Sequence, residues 1–181
     1  RALILSDIHS NLEAFTAVIE DATERGGFDS LWCLGDTVGY RPDPGPCIKL
    51  LRQHNALAVL GNHDYVAIGK ARAEDFNYAA KAAIQLTANN LSTEDAKYLS
   101  GLPTVIKAEP FTLVRRTLRD YVNEYLLERD TPLATLELLE TRYCAVGHTH
   151  LPFISSACKT ATKSRLLSST KTGTTAWLKN G

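Results

Sequence analysis

An α/β fold with a largely parallel sheet is the architecture this sequence predicts, on two observations. From Ala2 to His63 the chain repeats an apolar run, a polar loop and an amphipathic stretch, which is the pattern of βαβ units. Four of its five histidines, three of its aspartates and one asparagine also collect just after predicted strands, at the edge where open α/β sheets bind ligands. With 181 residues, 44% apolar and 22% charged, the chain can bury a core of its own, and it reads as one domain over residues 1–181.

The elements follow in order. Ala2–Leu5 is an apolar run of strand length. A helix then starts at a cap on Ser10 or Asn11, carries Leu12, Phe15, Val18 and Ile19 at helical spacing, and stops near Gly26 and Gly27. Ser30–Leu34 is a second strand, and the Pro- and Gly-rich stretch Arg41–Pro46 is a loop that leads into a helix through Ile48, Leu50 and Leu51. Ala56–Leu60 is a third strand. Asn77–Asn90 and Ser92–Ser100 read as helices, the second with a Ser92 and Asp95 capping arrangement. Thr104–Ile106 and Phe111–Val114 read as strands, Thr131-Pro132 opens a helix bearing Leu133, Leu136 and Leu139, and Tyr143–Val146 is a strand. Between Ser155 and Thr175, fourteen of twenty-one residues are Ser, Thr or Lys, so no helix or buried strand is predicted in the tail after about residue 155. The chain opens directly on a strand-like run and has no methionine, which suggests a longer natural product.

Charge and cysteine usage narrow the function classes. Twenty basic residues balance twenty acidic ones, so no strong nonspecific affinity for nucleic acid or anionic membrane is expected, and a polyanionic partner needs a local site. Cys33, Cys47, Cys144 and Cys158 form no CxxC pair, and Cys33 and Cys144 lie in apolar runs, which suits a reducing cytoplasm. No apolar run is long enough to span a bilayer, and no signal peptide is legible.

Four predicted strand ends carry ligand-type residues: Asp7-Ile8-His9, Gly35-Asp36, Gly61-Asn62-His63-Asp64 and Gly147-His148-Thr149-His150. If the backbone stays extended there, residues i and i+2 share a side, which pairs Asp7 with His9 and His148 with His150. The glycines allow tight turns and close backbone approach. Each residue alone is ordinary turn chemistry. Four such junctions in one chain point instead to a shared site, whereas His54, midway along a predicted helix, reads as a surface residue. Carboxylate, imidazole and amide oxygen suit Mn²⁺, Fe or Zn²⁺ better than Ca²⁺, and the thiolates of a structural zinc site are missing. The cargo expected is catalytic metal, two divalent transition ions with Mn²⁺ foremost and Fe, Zn²⁺ or Ni²⁺ as alternatives.

The ordered set Asp7-x-His9, Gly35-Asp36-x-x-Gly39, Gly61-Asn62-His63-Asp64 and Gly147-His148-x-His150 resembles the signature of the calcineurin-like metallophosphoesterases, particularly small bacterial and archaeal members, over Ala2 to about Phe153. The resemblance implies a four-layer α/β/β/α sandwich with two mixed sheets. It implies that Asp7, His9 and His150 bind a first metal, that Asp36 bridges, and that Asn62 and His148 bind a second. His63 would face the phosphate as proton donor or stabilising charge, with Asp64 orienting it. The implied reaction is hydrolysis of a phosphomonoester or phosphodiester, from a small molecule or a nucleotide, by attack of a metal-bound hydroxide.

The pattern breaks where the family places a second-metal histidine, in the stretch Phe111 to Asp120. That His-Gly has become Arg115-Arg116, and guanidinium cannot ligate a metal. The two arginines read as solvated residues on a strand end, with phosphate binding as the other option. A binding module with a decayed second site is the alternative function. An amidohydrolase barrel using His-x-His is disfavoured, because such barrels need about 250 residues.

Overall fold

The computed structural model describes residues 1–121, 124 and 131–151, together with the backbone of the strands Ile154–Lys159, Ser164–Thr170 and Ala176–Asn180. Phe153, at the end of the last motif, and the side chain of Cys158 lie outside the described residues. The chain divides into two compact units, Arg1–Pro103 and Thr104–Gly181.

The first unit is built on a wholly parallel sheet. Its β1 (Ala2–Leu5) leads through α1 (Leu12–Glu24) to β2 (Ser30–Cys33), then through α2 (Pro44–Gln53) to β3 (Leu57–Ala58), and the strands pair in that order. Asn11 is the cap of α1, because its Oδ1 accepts the Ala14 amide at 3.2 Å. Of the expected apolar face, Phe15 is buried while Val18 stays 40% exposed. The Pro-rich stretch differs from the predicted loop, since α2 already starts at Pro44. Proline at the first helical position has its φ preset, and it lacks an N–H that would be unpaired there anyway. His54 is accordingly the C-cap of α2, half-buried with its ring 5.6 Å from Phe28, rather than a mid-helix residue.

β3 is shorter than predicted, although the Val59 and Leu60 amides still donate to Cys33 O and Pro103 O at 3.0 and 2.8 Å. The chain then forms α3 (Asn62–Ala67), α4 (Tyr78–Asn90) and α5 (Thr93–Ser100). Asn77 caps α4 through Ala80 N at 2.9 Å, and Ser92 caps α5 through Asp95 N at 3.1 Å. Two clusters form the core. Phe15, Leu31, Cys33, Cys47 and Leu51 pack between the sheet and α1 and α2, while Val38, Ile48, Leu60, Ile84 and Leu99 seat α3 to α5.

The second unit has a mixed sheet in the order β4-β5-β6-β9-β7-β8. It comprises β4 (Val105–Ala108), β5 (Phe111–Val114), α6 (Thr131–Leu138), β6 (Tyr143–Val146), β7 (Ile154–Lys159), β8 (Ser164–Thr170) and β9 (Ala176–Asn180). β5 and β6 are parallel, with Val114 opposite Val146, so their ends lie level. Val114, Leu136, Leu139, Cys144 and Val146 form the core of this unit. The tail corrects the sequence expectation, because three strands occupy it and β9 inserts between β6 and β7. Pairing with distant strands overrode the weak local pattern there.

Cys33, Cys47 and Cys144 are fully buried and form no disulfide. Burial, aided by Asp43 and Glu13, pushes the Cys47 thiol up to about 12, and burial alone does the same to Cys144. Among the described residues no helix is long and apolar enough to cross a membrane. Leu51 is 0% exposed and seals α2 onto the sheet. Leu51→Ala is therefore expected to lower the unfolding free energy by about 2–5 kcal/mol, read by urea denaturation. A loss below about 1 kcal/mol would show that the α2 contact does not hold this unit together.

Candidate metal centre

Two loops and the first turn of α3, all in the first unit, carry Asp7 and His9, Asp36, and Asn62, His63 and Asp64. Past the ends of β1 and β2 the backbone leaves the extended region, with φ of 59° at Asp7, 50° at His9, 58° at Ser10, 88° at Gly35 and 53° at Asp36. Left-handed backbone is uncommon for residues other than glycine. Here a second ladder of hydrogen bonds holds it: the amides of Asp7, His9 and Ser10 donate to the carbonyls of Gly35, Asp36 and Thr37 at 3.1, 3.0 and 2.9 Å. The extended backbone expected to pair Asp7 with His9 is thus replaced by stitched left-handed turns. His148 and His150, at φ 73° and 53° beyond β6, depart from it in the same way.

The loop after β2 is bound to the turn into α3 by two aspartates that cross. Asp36 Oδ1 accepts the His63 amide at 3.0 Å. Asp64 Oδ1 accepts the Val38 amide at 3.0 Å, and its Oδ2 accepts the Gly61 amide at 2.9 Å. Both carboxylates are buried, at 1% and 0% exposure. Burial first, and then the charge of Asp36, push the Asp64 carboxyl up to about 7 against the pull of the backbone amides. Both Asp64 oxygens thus accept main-chain amides, those of Val38 and Gly61, and neither is spent on holding the His63 imidazole. Gly61 is pressed so closely against Asp36 that a Cβ there would overlap Asp36 Oδ1 and the Asp36 amide nitrogen.

The side chains converge on a cation-sized gap. His9 Nδ1 lies 3.3 Å from Val38 O, a carbonyl that can only accept, and this contact favours the tautomer with the proton on Nδ1 and the lone pair on Nε2. That Nε2 stands 3.6 Å from Asp7 Oδ1 and 3.9 Å from Asp36 Oδ2. These separations exceed a hydrogen bond and suit donors that share an ion at about 2.0–2.2 Å each. The ligand atoms of His9, Asp36 and His63 all lie within 4.8 Å of one another. Asn62 is 8% exposed, and its Oδ1 has no hydrogen-bond partner among the described residues. A buried acceptor left this way costs about 1–3 kcal/mol unless a cation or proton donor meets it. The residues present therefore fit a divalent transition ion.

His63 is wedged among aromatic rings, with centroids 4.6 Å from His9, 4.9 Å from Tyr40 and 4.4 Å from Phe76. Gly39, at φ 104°, lets it in, since a Cβ there would lie 2.7 Å from His63 Nδ1. Ser10, read from sequence only as a possible cap, is fully buried, and its Oγ accepts the Gly39 amide at 3.1 Å. Ser10 and Phe76 belong to the surroundings of His63 but have no ligand chemistry to mark them.

In the second unit, His148 and His150 follow β6 and Arg115 follows the neighbouring strand β5. The expectation of solvated arginines is wrong: Arg115 is 1% exposed and Arg116 6%. They continue an apolar strand in mid-sheet, and burial follows from that position. Arg115 Nη2 lies 3.4 Å from His148 Nδ1, placing a permanent positive charge against a predicted metal ligand.

Residues 1–165 match the family described as calcineurin-like phosphoesterase. An uncharacterized protein of Methanocaldococcus jannaschii is 37% identical over 162 residues, which are 84% of this chain and 63% of that protein. The crystal structure of a metallophosphoesterase from Sphaerobacter thermophilus is similar at a TM-score of 0.73 and 37% identity, over 84% of this chain and 61% of that one. The chain thus spans less than two thirds of the length of either relative. A hypothetical protein from Pyrococcus horikoshii shares the fold at 20% identity and a TM-score of 0.72, over 85% of this chain and 71% of its own. A protein provisionally described as a diadenosine tetraphosphatase is similar at 27% identity and a TM-score of 0.53, over 65% of this chain and 50% of that one.

The tight seat of Gly61 yields a test. Gly61→Ala must push the α3 turn off Asp36, at an expected cost of about 1–3 kcal/mol in denaturant unfolding, with weakened Mn²⁺ binding in calorimetry. An alanine variant of unchanged stability and affinity would mean that the two loops part freely.

Proposed function

We propose that this chain, which belongs to the calcineurin-like phosphoesterase family, hydrolyses a phosphomonoester or phosphodiester with divalent metal ions as cofactors. The observation that carries the reading is the gap between His9 Nε2 and the carboxylates of Asp7 and Asp36, with the buried oxygen of Asn62 on the adjoining turn. These four residues are the ligands we assign in the first unit. His148 and His150 are assigned as further ligands on the strength of the sequence motif alone. Mn²⁺ is the ion the mixed donors favour, with Fe, Zn²⁺ or Ni²⁺ as substitutes. What bound ions supply is Lewis acidity towards the phosphoryl oxygens and towards water.

The chain's own groups do the rest. Asp36, fixed by the His63 amide and by Gly61, holds its carboxylate where one oxygen faces His9. The imidazole of His63 is the group assigned to protonate the leaving oxygen, and the rings around it hold its orientation. Asp64 keeps the peptide beneath it in place. Nucleotides are among the substrates this chemistry admits, and the buried thiols suit a cytoplasmic setting.

Purified protein with added Mn²⁺ is expected to hydrolyse an aryl phosphate ester and to lose that activity on chelation. His63→Ala is expected to reduce kcat by about 10²–10⁴-fold, and Asp36→Asn to remove turnover, with circular dichroism unchanged. Turnover that survives exhaustive chelation rejects the proposal.

A second reading, a binding module with a decayed second metal site, is favoured by one observation, the buried Arg115 guanidinium against His148. It predicts at most one tightly held ion per chain by elemental analysis, and a higher metal content in Arg115→His. Two ions in the unaltered protein would count against it.

A further inference from the structure

We propose that the organic part of the substrate is a nucleoside, whose base lies in a groove between the loop 40–44 and α4. This rests on the phosphoesterase reading above and gives it a substrate class. Two cavities adjoin in the first unit and share Tyr40 and Arg41 as their common wall. One, of about 450 Å³, is lined also by Asp7, His9 and Asn11, and is where a phosphoryl group would meet the metal ligands. The other, of about 360 Å³, runs between Pro42 and Pro44 on one side and Ala83, Leu86 and Thr87 of α4 on the other. A substrate that reaches from the first into the second has its phosphoryl group at the ligands and its organic group in the groove.

The groove has the features of a base site. Tyr40 is held at φ 56° with 43% of its surface exposed, a costly conformation for a bulky residue. The surrounding chain enforces it: the Arg41 amide bonds Gly39 O and His9 O at 2.7 and 3.1 Å, and the Asp43 amide bonds Ser10 O at 3.2 Å. A fixed, half-exposed ring is a stacking platform. Opposite it, Leu86 is 64% exposed on α4, and with Pro42 and Pro44 it offers apolar surface that a sugar or small alkyl group would leave wet. The groove's edge is polar, because Thr87 Oγ1 donates to Ala83 O at 3.0 Å yet keeps lone pairs to accept, and Asn90 lies beside it. Arg25, Arg52 and Arg72 are each tied to a carboxylate, whereas the Arg41 side chain has no such partner among the described residues. It stands between the two cavities, where it meets a phosphate oxygen of the bound nucleotide.

Adenosine 5′-monophosphate and ribose 5-phosphate differ only in the base, so comparing them isolates the groove. Their affinities are read as inhibition of aryl phosphate turnover by the Mn²⁺-loaded protein, since without metal the site would turn bare carboxylates towards the phosphate. The adenine compound is expected to bind about tenfold tighter or more. Leu86→Gln, at an exposed helix position, replaces apolar groove surface by a polar side chain of similar size and is expected to reduce that preference. Tyr40→Leu is expected to reduce the preference as well. Equal affinities in the unaltered protein, binding of neither compound, or a preference unchanged in both Leu86→Gln and Tyr40→Leu overturns the nucleoside assignment. If aryl phosphate turnover persists alongside such a result, only this assignment falls, whereas absence of turnover on any phosphate ester removes the reading beneath it.

Discussion

Two crossed aspartates hold the candidate site together. Asp36, from the end of β2, takes an amide of the α3 turn, and Asp64, from α3, takes amides of the β2 loop and of Gly61. Each loop supplies the acceptor that the other loop's donor needs, so neither conformation is satisfied without its partner. Gly61 completes the joint, because any side chain there would separate the loops. The positions of Asn62 and His63 follow from it, since both belong to the turn this joint fixes. Such a network is strong when every member is paired and costly when one is missing.

Backbone strain concentrates at the same residues. Asp7, His9, Asp36, His148 and His150 all have left-handed φ, and all five carry side chains of metal-ligating chemistry. Such conformations cost about 1–3 kcal/mol each and persist only where the surroundings over-determine them. In the first unit those surroundings are the amide-to-carbonyl ladder between residues 7–10 and 35–37, anchored by the core beneath it. Within the first unit Asp7, His9 and Asp36 therefore face one gap in a conformation fixed by hydrogen bonds, and such pre-organisation would lower the cost of assembling the proposed metal site.

Much of this was legible in the sequence, for identifiable reasons. β1, β5 and β6 are readable to the residue, because short runs of apolar and β-prone residues end abruptly at polar residues or proline. The ligand-type residues were legible as chemistry and as positions relative to strand ends. Their geometry was not, because left-handed turns at Asp7 and His9 depend on the distant carbonyls of Gly35 and Asp36. Arg115 shows the same limit from the other side: charge suggested solvent, and mid-sheet position decided on burial. The strands after residue 154 escaped because their partners are distant and their residues carry no alternating apolar pattern. The start of α2 escaped because Pro44 serves equally to break a chain and to open a helix.

Packing of the thiols has a chemical corollary. A sulfhydryl that keeps its proton up to about 12, as in Cys47 and Cys144, offers no thiolate at neutral pH, and thiolate is the donor that soft ions such as cadmium or copper(I) seek. Cys33 lies only three residues before Asp36, yet it is fully enclosed and its sulfur turns toward Gly35 O and Thr37 Oγ1. An arriving cation therefore meets oxygen and nitrogen donors in this loop. The three described thiols thus serve as interior packing and present no sulfur donor at the loop surface.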